Sequence, residues 1–587
     1  MEFPPWSTSS SGYTEDVSLM IVKKLCKNPA ILGKIVIDQN LGRQMSKQTF
    51  IVYVDQAFMR TRPNAMSSYG VTASSSLQAS LIGSRIMEEG GNVVDAAIAT
   101  SAALCVTQNN LCGLGGDLFA LIRINGKPIM DYNGSGRAAK SATIPYYEEL
   151  GLENIPQRGE LSAITVPGIV HAWGIIQKNY GTMEFSDLLR PALKLAKDGF
   201  PVTHNYSKSV EVSAPHLEEY GWGKIFKPNG RFLGSGIIFK QPDLAATLGD
   251  LISEGPDTFY SGHLLDRIFK GLRNQGMLFG ESDFKQHKTT VETPLKTNYE
   301  GYDIYETNPN SQGATVLLWL NLLSELQENR KSSDEREKFL EIIHAGLIAY
   351  EERSKFIADP AFQKLPKNFT DISYARELLA GNSVRYDNRN VSDPGDTTYF
   401  TIADKDGNSV SIIQSNYMGF GSGIVPSGTG FVLQNRGCYF SLEKDHHNSL
   451  QPGKRTFHTL CAAMAEKDGD FQFSLGTMGG DIQPQIHVQL IRSLIDGDLD
   501  PQLSVDAPRW AFPGTIYEKP GKLLAEVPLY DKLKNYDLHG LTIMPLEHHS
   551  SQTGHAQITF KTKDGVVIGG SDPRGDGVAI PVLKIST

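Results

Sequence analysis

The chain has few cysteines for its length. Five occur in 587 residues, and no two of them form a CxxC pair; they are Cys26, Cys105, Cys112, Cys438 and Cys461. An odd number without paired spacing argues against both a disulfide framework and a zinc site. We therefore expect buried free thiols, no bound metal and no cofactor.

Excess positive charge and long apolar runs are also missing. Lysine and arginine number 56 against 65 aspartate and glutamate, a net charge of −9, so a nucleic-acid partner is not expected. No run approaches the roughly 18 apolar residues that span a bilayer. The first residues lack the basic segment and apolar core of a secretory signal. These absences predict a cytoplasmic protein with no membrane partner.

Helical patterns precede strand patterns along the chain. Serines and paired glycines bound a predicted helix within 75–92, and the Ala-rich segment 93–106 is apolar almost all round, which favours a helix buried on both sides. Segments 182–202 and 335–357 have apolar residues at helical spacing. Strand-like runs dominate from Thr397 onward. This order predicts an α+β fold with mainly antiparallel pairing.

A hairpin is predicted within 394–416, where two threonines follow Pro-Gly-Asp. Two alternating runs flank Asp-Lys-Asp-Gly-Asn, a sequence typical of a tight turn. A three-residue loop places Thr397 opposite Ser415, whereas a two-residue loop places it opposite Asn416. In either register the first threonine gains a polar partner.

The bend before this strand suits cleavage of the chain between Asp396 and Thr397. Cleavage would give Thr397 a free α-amine, whose ordinary pKa is about 7.7–8.0. A hydroxyl becomes a good nucleophile when a base lies beside it, and a terminal amine is such a base. The alternative is that threonine is present as a good strand former in a surface pair.

Ordered motifs from about Val71 to the C-terminus resemble the γ-glutamyltransferase family of N-terminal-nucleophile hydrolases, especially its γ-glutamyltransferase-like and cephalosporin-acylase-like branch. The motifs are GGNVVDAAIAT (90–100), TVPGIVHAW (165–173), YGTMEFSDLLRPALKLAKDGFPV (180–202), DTTYFTIADKDGNSVS (396–411), GFGSGIVPSGTGFVLQNRG (419–437), PGKRTFHT (452–459), GTMGGDIQPQ (476–485), DAPRW (506–510) and SDPRGDG (571–577). The resemblance implies a four-layer αββα sandwich with two antiparallel sheets.

The resemblance also implies self-processing before Thr397. Three regions follow: an extension of unknown role (1–66), a large α subunit (67–396) and a small β subunit (397–587). The two subunits would stay together, and a homodimer of these heterodimers is compatible with the family. Thr397 would be the nucleophile, Ser415 would replace the family's partner threonine, and Gly479 and Gly480 would form the oxyanion hole.

The substrate-binding residues depart from those of true transferases. The arginine that clamps the α-carboxylate is displaced to Arg137, and Asn416 is a further binding candidate. The segment QNRGCYFS places Tyr439 where the family has the acid for the substrate's ammonium, and Arg436 beside it. His458 and Thr459 replace paired serines. A substrate with an acidic group would suit Arg436 better than one with an ammonium group.

The resemblance implies an enzyme that cleaves an amide-linked γ-glutamyl or related acidic acyl group, with water or an amine as acceptor. The segment 441–453 is shorter than the lid-bearing version, which favours hydrolysis over transpeptidation. Two alternatives stay open: a glutaryl-type (cephalosporin) acylase, and an unprocessed, non-catalytic relative.

Other motifs do not support a different function. GLGGDLF (113–119) lacks the third glycine of a dinucleotide loop. DKDGN (404–408) has its glycine misplaced for a calcium loop. The pairs His446-His447 and His548-His549 lie in polar stretches, which favours solvated loops over metal sites.

Overall fold

The computed structural model describes residues 60–217, 220–273, 275–328, 334–381, 396–511, 522–536 and 542–584. These residues form two large antiparallel sheets, each of seven strands within the described ranges.

The first sheet has the strand order β19-β2-β10-β11-β3-β4-β7. Its strands in chain order are β2 (Gly70–Ser74), β3 (Asp117–Arg123), β4 (Met130–Asn133), β7 (Thr290–Glu292), β10 (Asp396–Asp404), β11 (Ser409–Tyr417) and β19 (Val578–Pro581).

The second sheet has the order β1-β18-β17-β13-β12-β9-β8. Its strands are β1 (Ala65–Ser67), β8 (Leu295–Tyr299), β9 (Tyr302–Glu306), β12 (Ala463–Lys467), β13 (Asp470–Thr477), β17 (Ala556–Lys561) and β18 (Val567–Ser571). Smaller sheets pair β5 (Phe200–Pro201) with β6 (Ile238–Phe239), and β14 (Trp510–Ala511), β15 (Lys522–Glu526) and β16 (Thr542–Leu546).

Helices pack on the outer face of each sheet. Those before β7 are α1 (Leu77–Glu88), α2 (Val93–Thr107), α3 (Ile144–Glu149), α4 (Ile169–Tyr180), α5 (Phe185–Asp198), α6 (His204–Leu217), α7 (Gly223–Phe226), α8 (Pro242–Glu254), α9 (Thr258–Ser261), α10 (His263–Gly271) and α11 (Glu281–Lys285). The later ones are α12 (Gly313–Glu328), α13 (Glu335–Phe356), α14 (Ile372–Gly381), α15 (Gln483–Ile495), α16 (Pro501–Asp506) and α17 (Val527–Leu533).

Helix α2 shows how the sequence pattern produces the outer layer. The Asn92 side chain accepts from the N–H groups of Val94 and Asp95, which satisfies donors that the first helical turn leaves unpaired. All fifteen residues of α2 are buried, because small alanines let neighbouring elements approach it on every side. Phe400 and Ile402 of β10 belong to the same apolar cluster. The predicted two-sided burial is confirmed.

The two sheets face each other across a thin apolar layer. Phe119, Tyr399 and Ile413 of the first sheet cluster there with Leu460 and Ala462, which precede β12. A separate cluster packs α12, α13 and α15 on the other face of the second sheet. This is the predicted αββα arrangement, and the predicted helices at 75–92, 182–202 and 335–357 are present as α1, α5 and α13.

The folded body extends slightly beyond the predicted N-terminal boundary. Strand β1 straddles residue 66 and pairs with β18. Before it, the Thr61 N–H and hydroxyl both donate to Asp506, at 2.9 and 2.7 Å. Residues 1–59 of the predicted extension lie outside the described residues, and the role of the extension stays unknown.

Three of the cysteines, Cys105, Cys112 and Cys461, are buried free thiols, and Cys438 is half-buried. Cys26 lies outside the described ranges. In the part of the chain that the structure describes, no helix is both long enough and apolar enough to span a membrane.

Candidate active site

Strands β10 and β11 form the predicted hairpin. Thr398 lies opposite Gln414 and Ala403 opposite Ser409, so the paired strands have one constant register. The Asp404 N–H donates to the Asn408 carbonyl at 3.0 Å, and Gly407 has a φ of +81°. The three-residue loop is therefore confirmed, with glycine in the left-handed conformation.

The register changes at the first threonine. Asp396 lies opposite Tyr417, so Ser415 and Asn416 together span the place of a single partner for Thr397. Tyr417 has a φ of +80°, in the left-handed region that non-glycine residues rarely adopt. The Thr397 hydroxyl donates to Ser415 Oγ at 3.3 Å, the contact that the three-residue loop predicted.

The two adjacent threonines face opposite layers. Thr398 Oγ1 hydrogen-bonds Ser75 Oγ, just before helix α1. Side chains at the odd-numbered positions of β10 face the second sheet instead. Thr401 Oγ1, for example, hydrogen-bonds Thr559 of β17 at 2.8 Å. Because successive strand residues alternate faces, Thr397 lies on the inner face of the sandwich and Thr398 on the helical face.

Ser415 links the Thr397 hydroxyl to the peptide bond before it. Its Oγ accepts from the Tyr417 N–H at 2.6 Å and donates to the Asp396 carbonyl oxygen at 2.7 Å. Ser415 therefore donates its single hydroxyl proton to the Asp396 carbonyl, while the Thr397 hydroxyl donates its proton to Ser415 Oγ. This arrangement polarises the Asp396–Thr397 peptide bond and gives the Thr397 proton an acceptor.

Ser415→Ala should slow self-cleavage because it removes both the donor to the carbonyl and the acceptor for the Thr397 proton. One lost oxyanion donor costs about 10²- to 10³-fold in a comparable acyl transfer. The rate is measured by gel electrophoresis of the full-length chain during cell-free synthesis. Ser415→Thr is the matched control and should cleave at a rate close to that of the wild type. Equal rates for Ser415→Ala and the wild type would contradict the role.

A pair of left-handed glycines follows β13. Gly479 has a φ of +132° and Gly480 a φ of +58°. Among the described residues, neither glycine N–H donates a hydrogen bond. The Gly480 carbonyl is held by the Gln312 side-chain amide at 2.9 Å. Two adjacent N–H groups that no described residue engages suit the binding of an oxyanion, the role that the family resemblance implied for them.

Arg436 is buried against the end of β11, with 1% of its surface exposed. Its guanidinium carbon lies 4.3 Å from the centre of the Tyr417 ring, and Nη1 donates to Thr459 Oγ1 at 2.9 Å. Its Nε and Nη2 have no partner among the described residues, and neither does the side-chain amide of Asn416. Burial lowers the pKa of Arg436. Buried, unpaired donors on a cation suit a ligand carboxylate.

His458 lies close to Arg436 but is used within the protein. Its Nδ1 accepts from the Leu460 N–H at 3.3 Å, so Nε2 carries the proton and donates to Asp117 Oδ2 at 3.1 Å. Burial lowers the pKa of His458 well below its usual value, and raises the pKa of Asp117 to about 7. The predicted contact of His458 with substrate has no support here, whereas Thr459 lies against Arg436.

Arg137 and Tyr439 also have partners within the protein. Arg137 forms an ion pair with Asp359 at 2.9 Å. The Tyr439 hydroxyl donates to the Asp481 carboxylate, and its ring lies 4.8 Å from that of Tyr417. Substrate binding by Arg137 stays a prediction without a contact that supports it. Tyr439 offers an aromatic wall where true transferases have an acid.

A cavity of about 560 Å³ opens beside this wall. Tyr417, Tyr439, Phe457 and Asp481 line it, together with Arg353. The cavity connects the end of β11 with the residue that follows the glycine pair. Its volume would hold an acyl group and part of a leaving amine, and its lining stops short of Thr397, Arg436 and the two glycines.

The glycines of GLGGDLF are explained by close packing against β11. A Cβ on Gly116 would lie 2.4 Å from the Ser415 carbonyl oxygen and 2.6 Å from Asn416 Oδ1. A Cβ on Gly115 would lie 2.1 Å from the Val432 carbonyl oxygen. The motif therefore lets the loop approach the strand end that carries Ser415.

Glu306, Cys461 and His487 are buried and close enough to one another to be considered as metal ligands. Glu306 Oε1 lies 2.7 Å from His487 Nδ1, a hydrogen-bond distance. Cys461 Sγ lies 4.0 and 3.9 Å from the two ring nitrogens. The sulfur is thus equally far from both nitrogens, and the cluster is a hydrogen-bonded pair beside a thiol.

Four residues around the site were not predicted from the sequence: Asp117, Gln312, Arg353 and Asp481. Asp117 and Asp481 each follow a Gly-Gly pair in a motif that had been noted, at 113–119 and 476–485. Gln312 and Arg353 carried no signal, because their contacts with Gly480 and Asp481 join residues more than 120 positions apart.

Comparisons with known proteins identify relatives of this chain over most of its length. The sequence profile of the family described as gamma-glutamyltranspeptidase matches residues 79–582. The glutathione hydrolase-like YwrD proenzyme of Bacillus subtilis is 37% identical over 86% of this chain and 97% of its own length. The oxamate amidohydrolase proenzyme of Klebsiella pneumoniae is 32% identical over 88% and 98%. The crystal structure of cephalosporin acylase from Bacillus halodurans matches with a TM-score of 0.81 and 32% identity, over 89% and 97%.

Proposed function

The chain belongs to the γ-glutamyltranspeptidase family and is an N-terminal-nucleophile enzyme, and on that premise we propose that it cleaves itself before Thr397 and then hydrolyses amides of small acidic acyl groups. Its observed relatives include two hydrolases named as proenzymes. The observation that carries the substrate class is the buried Arg436 guanidinium, whose Nε and Nη2 have no partner within the part of the chain that the structure describes.

Self-cleavage starts from the bonds around Ser415. Thr397 Oγ attacks the Asp396 carbonyl carbon while its proton passes to Ser415 Oγ, 3.3 Å away, and the proton of Ser415 passes to the carbonyl oxygen. The Ser415 hydroxyl stabilises the developing negative oxygen from 2.7 Å. The C–N bond then breaks as the proton held on that oxygen is released and a proton is taken up by the Thr397 nitrogen, so the protons balance and an ester remains. Water hydrolyses this ester to an Asp396 carboxylate and a free Thr397 amine.

Acyl transfer then uses the new amine as the base. The amine accepts the Thr397 hydroxyl proton as Oγ attacks the substrate carbonyl carbon. The N–H groups of Gly479 and Gly480 receive the negative oxygen. The substrate C–N bond breaks, the leaving amine takes the proton, and water hydrolyses the acyl ester on Thr397.

The charges beside Thr397 favour an acyl group with a carboxylate and no ammonium. Arg436 supplies a fixed positive charge, and Tyr439 replaces the acid that an ammonium group would need. The Asp481 carboxylate in the cavity wall is already paired with Arg353 and with the Tyr439 hydroxyl. An ammonium group in this site would lose its hydration and would also be repelled by the buried guanidinium, which carries the same charge. The relative named for oxamate acts on an amide of this type, since oxamate carries a carboxylate and no ammonium. Glutaryl-type amides therefore fit this site better than γ-glutamyl amides.

Water is the proposed acceptor of the acyl group. The cavity beside Tyr439 reaches the polar residues Glu443, His446 and His447, within the segment that is short in this chain. An accessible site of this kind favours attack by water over a bound amine.

Paired anilides test the substrate class. The processed enzyme is assayed with glutaryl-p-nitroanilide and γ-glutamyl-p-nitroanilide, which differ by one ammonium group. We expect kcat/KM for the glutaryl compound to be at least about tenfold higher than for the γ-glutamyl compound, because Arg436 repels the ammonium group that only the γ-glutamyl compound carries. Butyryl-p-nitroanilide, which lacks the carboxylate, is the control and should be a poor substrate. Strict preference for the γ-glutamyl compound would overturn the proposal.

A gel separates this enzyme from a non-catalytic relative. Two bands, with the smaller one beginning at Thr397, support the proposal, and a single full-length band contradicts it.

A further inference from the structure

We infer that Gln312 and Arg353 are positioning residues for the glycine pair, and that they serve acyl transfer without serving self-cleavage. The inference rests on the proposed function. Both residues precede the cleavage point and both act on residues that follow it, so the large subunit would hold the oxyanion site of the small one.

Gln312 fixes the glycine loop from the start of helix α12. Its side-chain N–H₂ donates to the Gly480 carbonyl at 2.9 Å and to the Thr459 carbonyl at 2.6 Å. The residue is fully buried. Because the Gly480 carbonyl is held, rotation of the loop at this point is restricted. The same amide joins the glycine loop to Thr459, which contacts Arg436.

Arg353 binds the side-chain oxygens of Gln312 and Asp481. Its Nη1 donates to Gln312 Oε1 at 2.7 Å and to Asp481 Oδ1 at 2.9 Å. The Tyr350 hydroxyl donates to the Asp481 carbonyl at 2.6 Å. The arginine is 2% exposed and belongs to α13. Its one charge therefore sets the orientation of the Gln312 amide and of Asp481, on both sides of the Gly480–Asp481 peptide bond.

Self-cleavage uses a different donor. In the uncleaved chain, the Asp396 carbonyl oxygen receives the Ser415 hydroxyl at 2.7 Å. The N–H groups of Gly479 and Gly480 donate no hydrogen bond to any described residue, this carbonyl included. The protein thus has two separate donor sets for two carbonyl oxygens. Gln312 contacts only the glycine set, and Arg353 acts on that set through Gln312 and Asp481.

Loss of either positioning residue should lower kcat for hydrolysis and leave KM nearly constant. The glycine N–H groups would still be present but less well aligned, so we expect a fall of about 10- to 100-fold, less than the loss of a donor. The rate of self-cleavage should stay within about twofold of the wild-type rate, because Ser415 and Asp396 are unchanged.

The test compares Arg353→Met and Gln312→Met with Arg353→Lys, which keeps the charge and should recover part of the activity. Arg123→Met is the matched control: Arg123 is buried and hydrogen-bonded to Glu466, Gly407 and Gly469, at the far end of the hairpin. It should change neither rate. The variant with both Gln312 and Arg353 replaced should hydrolyse substrate no more slowly than the slower of the two single variants, because both residues act through the Gly480–Asp481 peptide bond.

Two readouts are taken on each variant: self-cleavage during cell-free synthesis, and acylation of Thr397 by p-nitrophenyl acetate, followed by mass spectrometry. This ester needs the glycine pair but no recognition of an acidic group. Slower acylation with normal self-cleavage supports the inference. Equal loss of both rates, or unchanged acylation, overturns it. A wild type that is acylated but turns over neither anilide would refute the proposed substrate class alone.

Discussion

Thr397→Ala is expected to abolish both self-cleavage and hydrolysis. The substitution removes the one hydroxyl that bonds Ser415 at 3.3 Å beside the Asp396 carbonyl. Removal of the nucleophile from a comparable hydrolase lowers kcat by about 10⁶-fold. The chain should therefore remain a single band of full length after prolonged incubation. It should also release no p-nitroaniline from an acyl anilide above the background rate.

Two matched variants separate this loss from a folding defect. Thr397→Ser keeps a hydroxyl and should still cleave itself. Thr398→Ala removes the neighbouring hydroxyl, which bonds Ser75 on the helical face, and should still cleave and hydrolyse, with some loss of stability. Self-cleavage by Thr397→Ala would show that another group is the nucleophile.

Arg436→Met should lower kcat/KM for an acidic anilide far more than for a neutral one. Truncating one partner of a buried charge pair costs about 2–5 kcal/mol, which is roughly 30- to 5,000-fold in kcat/KM. Methionine keeps much of the side-chain volume against the Tyr417 ring. The measurement is the ratio of kcat/KM for glutaryl-p-nitroanilide and butyryl-p-nitroanilide, in which a general loss of activity cancels.

Arg137→Met is the comparison, since Arg137 was the other predicted carboxylate ligand. Its guanidinium is paired with Asp359 and its side chain is 37% exposed, so the ratio for the two anilides should stay near that of the wild type. If Arg137→Met changes the ratio and Arg436→Met does not, the carboxylate binds at Arg137 and the proposed position is wrong.

The hairpin could be predicted from the sequence because the residues that determine it lie close together along the chain. The turn DKDGN sets the loop length, the loop length sets the pairing, and the pairing brings Thr397 to Ser415. The family resemblance then supplied Gly479, Gly480 and Arg436, which no local rule connects to Thr397.

The change of register at Thr397 could not be predicted in this way. It depends on the left-handed backbone of Tyr417, φ +80°, at a residue type that gives no signal for that conformation. Gln312 and Arg353 could not be predicted from the sequence for another reason. Their contacts with Gly480 and Asp481 come from packing of α12 and α13 on the second sheet, and a single sequence does not show which distant residues meet.

The position of β10 within its sheet has a consequence for the cut chain. A new terminus in a loop would fray and its amine would sample many positions. Here the residues after the cut are paired with β11, and from Phe400 onward also with β2. Scission therefore breaks one bond without releasing the strand, and the amine created by the cut is anchored in place, close to the hydroxyl that it must deprotonate.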